Sequence, residues 1–135
     1  MWRDMERICA AADLPLARPS RFPRNGLQAA RVVARFEDEP WIPDFVRGIY
    51  HANFADDREI ADRAVVASVL EAIGQPPSHA AEADSSVAKA ALRARSDEAV
   101  ALGLFGAPSF VVDGELFWGN DRLEAALEWA HRAEK

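Results

Sequence analysis

The sequence has one cysteine, no long apolar run and fewer basic than acidic residues. Its one cysteine, Cys9, cannot form a disulfide or a C-x-x-C redox pair within the chain. No apolar run approaches the roughly 20 residues that cross a bilayer, and the opening residues, MWRDMERICAAAD, mix both charges, unlike a signal peptide. The net charge of −6 argues against nucleic acids and anionic membranes as partners. We therefore expect a soluble, cytoplasmic protein.

The pattern of apolar residues predicts a mostly helical chain. The length of 135 residues suits about one domain, and the 50% share of hydrophobic residues allows a buried core. Asn25, Asp62 and Asp121 are predicted N-caps. A proline-rich connector spans residues 15–24, and a short helix is possible near residues 78–83. The predicted helices cover residues 2–12, 25–35, 43–55, 62–73, 85–102 and 121–133.

A β-hairpin is the clearest non-helical signal. The Asp113-Gly114 pair between two apolar runs predicts a two-residue turn joining strands Ser109–Val112 and Glu115–Trp118. Ala107-Pro108 precedes the first strand, and Gly119 follows the second strand before a helix begins. This order is similar to the second half of a thioredoxin-type fold.

Two short segments beside the hairpin are candidates for a binding site. An X-Pro bond is usually trans, but a cis bond at Ala107-Pro108 would turn the Ala107 N–H and C=O outward, where an extended peptide could pair with them. The Gly119-Asn120-Asp121-Arg122 segment is either an ordinary helix start or an anion site. In the second case Asn120 helps to hold a carboxylate, Asp121 accepts from an ammonium group and Arg122 adds positive charge.

Three stretches together carry a family resemblance: MWRDMERICAAADLPL, RPSRFPRN and FGAPSFVVDGELFWGNDRL. They resemble the 2-hydroxychromene-2-carboxylate isomerases, relatives of kappa-class glutathione transferases in the DsbA-like thioredoxin superfamily. The resemblance implies an α+β fold in which a large helical domain (residues 21–103) is inserted between residues 1–20 and a C-terminal thioredoxin-like hairpin and helix (residues 104–135). It also implies a homodimer that uses glutathione to isomerise a small aromatic carboxylate during the degradation of aromatic compounds.

The resemblance also assigns roles to residues. Ala107 would pair through its backbone with the cysteinyl part of glutathione, and Pro108 would be the family's cis-proline. Asn120 and Asp121 would hold the γ-glutamyl head group, with Arg122 beside them. Asp4 resembles an acidic position near glutathione.

The sequence also departs from the family pattern. The catalytic serine is expected upstream of Met1, in a βαβ unit that this sequence does not contain, so the catalytic residue is unknown. We accordingly expect an N-terminally truncated chain with an unpaired sheet edge that favours association.

Several alternatives remain open at this stage. The chain could be a DsbA-like thiol-disulfide oxidoreductase, a glutathione transferase or a non-catalytic dimerising remnant. His51, His79 and His131 lack the spacing of metal ligands, so no metal is expected. Cys9 is more simply a packed thiol than a nucleophile. The remaining candidates are aromatic residues that line either a pocket for an aromatic substrate or the core: Trp2, Phe22, Trp41 and Tyr50.

Overall fold

The computed structural model describes residues 1–133 and divides the chain into two compact units. The first unit is Met1–Arg93, and the second begins at Ala94, within the fifth helix. The elements in chain order are α1 (Trp2–Ala11), α2 (Leu27–Arg35), α3 (Ile42–Phe54), α4 (Arg63–Ala72), a 3-10 helix (Pro77–Asp84), α5 (Ser86–Ala101), β1 (Ser109–Val112), β2 (Glu115–Trp118), a 3-10 turn (Asn120–Arg122) and α6 (Leu123–Ala133). Among these described helices, none is long and apolar enough to cross a membrane.

The core of the first unit lies between α2, α3, α4 and the 3-10 helix. Each of these helices turns one apolar face inward, as helical periodicity requires. The largest fully buried side chains are Val32, Phe45, Val66 and Leu70. By contrast, α1 contains no buried residue, so its apolar face is not part of this core.

A buried arginine fastens the proline-rich connector to the end of α3. The Arg24 side chain is only 3% exposed. Its guanidinium donates to the Asn53 Oδ1 at 3.0 Å, to the Ser20 Oγ at 3.2 Å and to the Asp57 Oδ1 at 2.5 Å. Asp57 also accepts from the Ser20 N–H at 2.9 Å. A guanidinium removed from water needs such partners, so the connector is held where they are.

The predicted helix caps have mixed outcomes. Asp62 is confirmed, since its Oδ1 accepts from the Ala64 N–H at 2.9 Å. Asn25 also accepts from a helix N–H, but Gly26 stands at the N-cap position of α2. The N-cap prediction for Asp121 is wrong because Asp121 lies inside the 3-10 turn and α6 begins only at Leu123.

The second unit contains the predicted hairpin, and its strand bounds are confirmed. The strands β1 and β2 are antiparallel, with Ser109 opposite Trp118. Asp113 and Gly114 both have positive φ, 49° and 79°, as the type I′ turn of a two-residue hairpin requires. Helix α6 packs on the hairpin, and the rings of Phe117 and Trp129 lie 6.3 Å apart.

We expect the stability of the first unit to fall at acid pH as the Asp57 carboxylate becomes protonated. The Ser20 N–H, and then the Arg24 guanidinium, lower the pKa of Asp57 from 3.8 to about 2. Because the folded-state pKa lies below the unfolded one, this stabilisation is complete above about pH 4 and is lost as the pH falls toward 2. Asp57→Asn should remove this part of the acid dependence, lowering the urea midpoint at neutral pH but not at pH 2.

The substitution is well matched to its site. The φ of Asp57 is 51°, a left-handed value that asparagine also adopts readily. Asp38→Asn, in an exposed turn, is the control and should keep the wild-type acid dependence. An Asp57→Asn variant whose urea midpoint falls with acid as steeply as that of the wild type would contradict the assignment.

Candidate functional site

One backbone hydrogen bond brings the two candidate segments together. The Gly119 N–H donates to the Pro108 C=O at 2.9 Å, one step beyond the pair of Ser109 and Trp118 that begins the hairpin ladder. Pro108 and Gly119 therefore lie side by side at the open end of the hairpin. Ala107 precedes Pro108 and Asn120 follows Gly119, so these two residues flank the hydrogen bond.

The first segment presents its backbone to solvent. The Ala107-Pro108 peptide bond is cis, and both residues are exposed. Within residues 1–133, the N–H and C=O of Ala107 have no hydrogen-bond partner. These two groups are therefore available to an extended ligand.

Trp118 and Ser109 fix the path of the chain just before this segment. The Ser109 hydroxyl donates to the Gly106 C=O at 2.5 Å. The Phe105 ring lies 5.1 Å from the Trp118 ring, and a Cβ at Gly106 would collide with the Trp118 indole nitrogen. A glycine at this position lets the indole cover the backbone directly before Ala107.

The second segment is a tight turn that leads into α6. Gly119 has φ 113° and ψ 153°, a conformation that is essentially restricted to glycine. The turn closes when the Arg122 N–H donates to the Gly119 C=O at 3.1 Å. Asn120 and Asp121 are exposed, and across the described part of the chain their N–H groups have no acceptor. Such free N–H groups at the start of a helix attract an anion.

Asp4 is the one predicted site residue outside this unit. It lies on α1, where its Oδ1 accepts from the Arg7 guanidinium at 3.3 Å. The other five predicted residues, namely Ala107, Pro108, Asn120, Asp121 and Arg122, all lie in the second unit. A role for Asp4 at the same site therefore stays a prediction.

Two of the predicted non-ligand histidines contact other side chains. His51 lies 3.5 Å from Asp56, and the His79 ring packs 4.4 Å from that of Phe36. Over residues 1–133, no three His, Cys, Asp or Glu side chains are arranged to hold a metal ion.

The aromatic candidates separate into two groups. Trp2, Phe22 and Tyr50 line a pocket in the first unit, together with Cys9. Trp41 instead packs against Phe45 in the core, with ring centroids 6.1 Å apart.

The pocket has further lining residues that sequence reasoning missed. Arg47 and His51 stand one helical turn apart on α3, on either side of Tyr50. Their i, i+4 spacing was the available signal, since it places them on the same side of the helix.

Comparison with known proteins places this geometry in a family. The profile of the DSBA-like thioredoxin domain matches residues 1–128. The chain belongs to that family. A search of solved structures agrees: a 2-hydroxychromene-2-carboxylate isomerase aligns with a TM-score of 0.78 and 22% identity, covering 97% of this chain and 66% of the other. The predicted DsbA-like thioredoxin fold, α+β with a helical insertion, is thereby confirmed.

Two curated proteins also resemble this DSBA-like chain. The 2-hydroxychromene-2-carboxylate isomerase of Sphingobium xenophagum is 30% identical over 125 residues, which cover 92% of this chain and 63% of that protein. The glutathione S-transferase kappa 2 of Caenorhabditis elegans is 31% identical over 110 residues, which cover 76% of this chain and 49% of that protein. The chain therefore spans less than two thirds of the length of either relative. The resemblance inferred from the sequence is confirmed.

We expect Gly119→Ala to be more damaging than Gly103→Ala, although both glycines have positive φ. A Cβ at Gly103 meets open space, whereas a Cβ at Gly119 would lie 2.6 Å from the Asp121 Oδ1. Alanine at Gly103 should cost about 1 kcal/mol of unfolding free energy, and alanine at Gly119 about 2–3 kcal/mol, because the strain is larger and Asp121 must move. Chemical unfolding measures both. Equal costs would show that the backbone conformation of Gly119 is no more strained for alanine than that of Gly103.

Proposed function

We propose that this chain carries the glutathione site of a glutathione-dependent isomerase of the 2-hydroxychromene-2-carboxylate type, acting in the degradation of aromatic compounds. The observation that carries the proposal is the hydrogen bond from the Gly119 N–H to the Pro108 C=O. It joins a free backbone edge at Ala107 to a free helix start at Asn120 and Asp121. A tripeptide with an amino-acid head group is one of the few ligands that could use both the backbone edge and the helix start.

The chemistry of each segment suits a different part of glutathione. The Ala107 N–H and C=O would pair with the cysteinyl residue, as one strand pairs with another. The free N–H groups of Asn120 and Asp121 would hold the α-carboxylate of the γ-glutamyl group. The Asp121 carboxylate would accept from its ammonium group, and Arg122 would add positive charge nearby. When bound, glutathione would supply a thiol to the reaction.

The isomerase and transferase names of the two curated relatives support an enzyme of this class. No serine of this chain is assigned a catalytic role, and the Ser109 hydroxyl beside Pro108 is already bonded to the Gly106 C=O. A glutathione transferase is the second candidate, favoured by the kappa-class relative. A thiol-disulfide oxidoreductase is less well supported because the only cysteine of the chain lies on α1.

The remaining parts of the proposal concern assembly and organisation. We propose a homodimer, since the second unit exposes apolar side chains that include Phe105, Trp118 and Leu127. We also propose that it acts in the cytoplasm. We also propose the functional division into residues 1–20, 21–103 and 104–135.

We expect reduced glutathione to bind the purified chain and Asp121→Asn to weaken that binding. Asparagine keeps the shape of the side chain but loses the charge that would face the ammonium group. A hydrogen bond to a charged group is worth about 1.5–3 kcal/mol, so the affinity should fall about tenfold or more. Isothermal titration calorimetry measures it. Glu128→Gln makes the same charge change at an exposed position of α6 and should leave the affinity unchanged. Equal losses in the two variants would point to net charge rather than to a site.

Turnover assays separate the candidate activities. We expect the chain to isomerise 2-hydroxychromene-2-carboxylate only when glutathione is present. The change in absorbance measures this reaction. Conjugation of glutathione to an aryl halide without isomerisation would favour a transferase. Reduction of insulin disulfides would favour an oxidoreductase. Glutathione binding without any turnover would favour a non-catalytic chain.

A further inference from the structure

A second pocket of the first unit is smaller than the one that Cys9 lines, about 360 Å³ against about 630 Å³. Its lining comes from α2, α3 and the proline-rich connector. Its volume falls within the range of roughly 300–1,000 Å³ that small-molecule sites occupy. Phe45 and Ile49 in its wall are buried, whereas Phe22 and Tyr50 are exposed. The pocket therefore runs from the surface toward the helical core and is open to a ligand from solvent.

Two hydrogen-bond donors on residues that line this smaller pocket lack an acceptor. Within residues 1–133 the buried Arg24 Nε–H has no hydrogen-bond partner, since the Glu59 Oε2 lies 3.7 Å away. Asn53 is only 6% exposed, and its Oδ1 accepts from the Arg24 guanidinium. Because a guanidinium can only donate, the amide oxygen faces Arg24, and no described residue accepts from the amide nitrogen. Buried polar groups normally have a partner, so these donors indicate an acceptor from outside the chain.

The charges around these donors favour a neutral acceptor. The Arg24 guanidinium already pairs with Asp57, and Arg21 lies 3.7 Å from Glu59, so two cations face two carboxylates. A ligand carboxylate would add a third negative charge without an unpaired cation to receive it, and burying such a charge is costly. A carbonyl oxygen accepts hydrogen bonds without carrying a charge, so its removal from water costs less.

The rest of the wall is apolar. Among the described residues that line the smaller pocket, only Arg24, Tyr50 and Asn53 have polar side chains. An apolar ligand body would therefore leave water for a surface of the same kind, which is favourable. We propose that this pocket binds a small, neutral, apolar molecule through one carbonyl oxygen, which accepts from the Asn53 Nδ2 and the Arg24 Nε. This site goes beyond the proposed function, because it needs neither glutathione nor the second unit.

The test compares 2-octanone with octanoate, which have chains of the same length and differ in the charge of the acceptor group. Each probe is titrated into the ¹³C-labelled chain in the absence of glutathione. The methyl signals of Val33, Ile49 and Ile60 report binding, because these residues line the pocket. We expect 2-octanone to shift these signals saturably, and octanoate to bind at least about tenfold more weakly because it brings an unpaired charge.

One substitution isolates the amide donor. Asn53→Asp keeps an oxygen for Arg24 but replaces the amide nitrogen with an oxygen that cannot donate. We expect it to weaken 2-octanone binding about five- to tenfold, the effect of one lost hydrogen bond. Asn25→Asp is the matched control and should leave the affinity unchanged. Asn25 is exposed and does not line the pocket, and an aspartate oxygen can still accept from the Leu27 N–H.

A second substitution fills the pocket and leaves its polar groups in place. Ala30 lies on α2 and lines the pocket, so the larger side chain of Ala30→Leu should abolish 2-octanone binding. Ala90→Leu makes the same change at an exposed position of α5 and should not affect binding. Urea unfolding of each variant shows whether it is folded.

Three outcomes would overturn the proposal. The absence of a saturable shift with 2-octanone would remove the site. Equal affinities for 2-octanone and octanoate would remove the preference for a neutral acceptor. Unchanged 2-octanone binding in Asn53→Asp, together with its loss in Ala30→Leu, would show an apolar cavity in which the ligand does not use the amide donor. Glutathione binding that depends on Asp121 can persist in each case, so failure here is distinguishable from failure of the proposed function.

Discussion

The candidate glutathione site depends on the register of one hairpin. The two-residue turn at Asp113-Gly114 sets which residues face each other along β1 and β2. That register places the Gly119 N–H beside the Pro108 C=O at the open end of the hairpin, where the two groups form a hydrogen bond. A slip by one residue would turn each side chain to the other face of the sheet and separate the two segments. The turn therefore determines the geometry of the candidate site, although neither Asp113 nor Gly114 belongs to that site.

A different constraint organises the first unit. Helix α1 buries no residue fully, so its position is not set by insertion into the helical core. The connector after it is set instead by the buried Arg24 guanidinium, which joins it to Asn53 and Asp57. Phe22, two residues before Arg24, then meets Trp2 edge to face. A polar network thus determines the shape of an apolar pocket, because it fixes the backbone that carries one of the aromatic walls.

The features that could be predicted from the sequence have local causes. The strands and their turn follow from an Asp-Gly pair between apolar runs, and the Asp62 cap follows from one side chain at one helix start. The N-cap prediction for Asp121 failed because a 3-10 turn precedes α6. The unusual φ of Gly119 allows this turn, and no local pattern indicated it. The Arg24 network was missed because its partners are distant in the sequence, and the larger pocket was missed because its lining comes from α1, the connector and α3 together. A contact between Arg24 and Asp57 leaves no periodic trace in the sequence.

The candidate site in the second unit and the larger apolar pocket in the first unit offer a ligand different interactions. The segments at Ala107 and Asp121 offer backbone hydrogen bonds and a carboxylate, which suit a zwitterionic peptide. The larger pocket in the first unit is lined by Trp2 and Tyr50 and offers mainly ring surface. Each region lies within one unit, so each affinity can be measured without the other ligand. If the reaction joins the two ligands, each must change the affinity for the other by the same factor, because coupling between sites is reciprocal. For an enzyme that combines glutathione with a second substrate, as we propose, that shared factor would measure how strongly the two ligands act together.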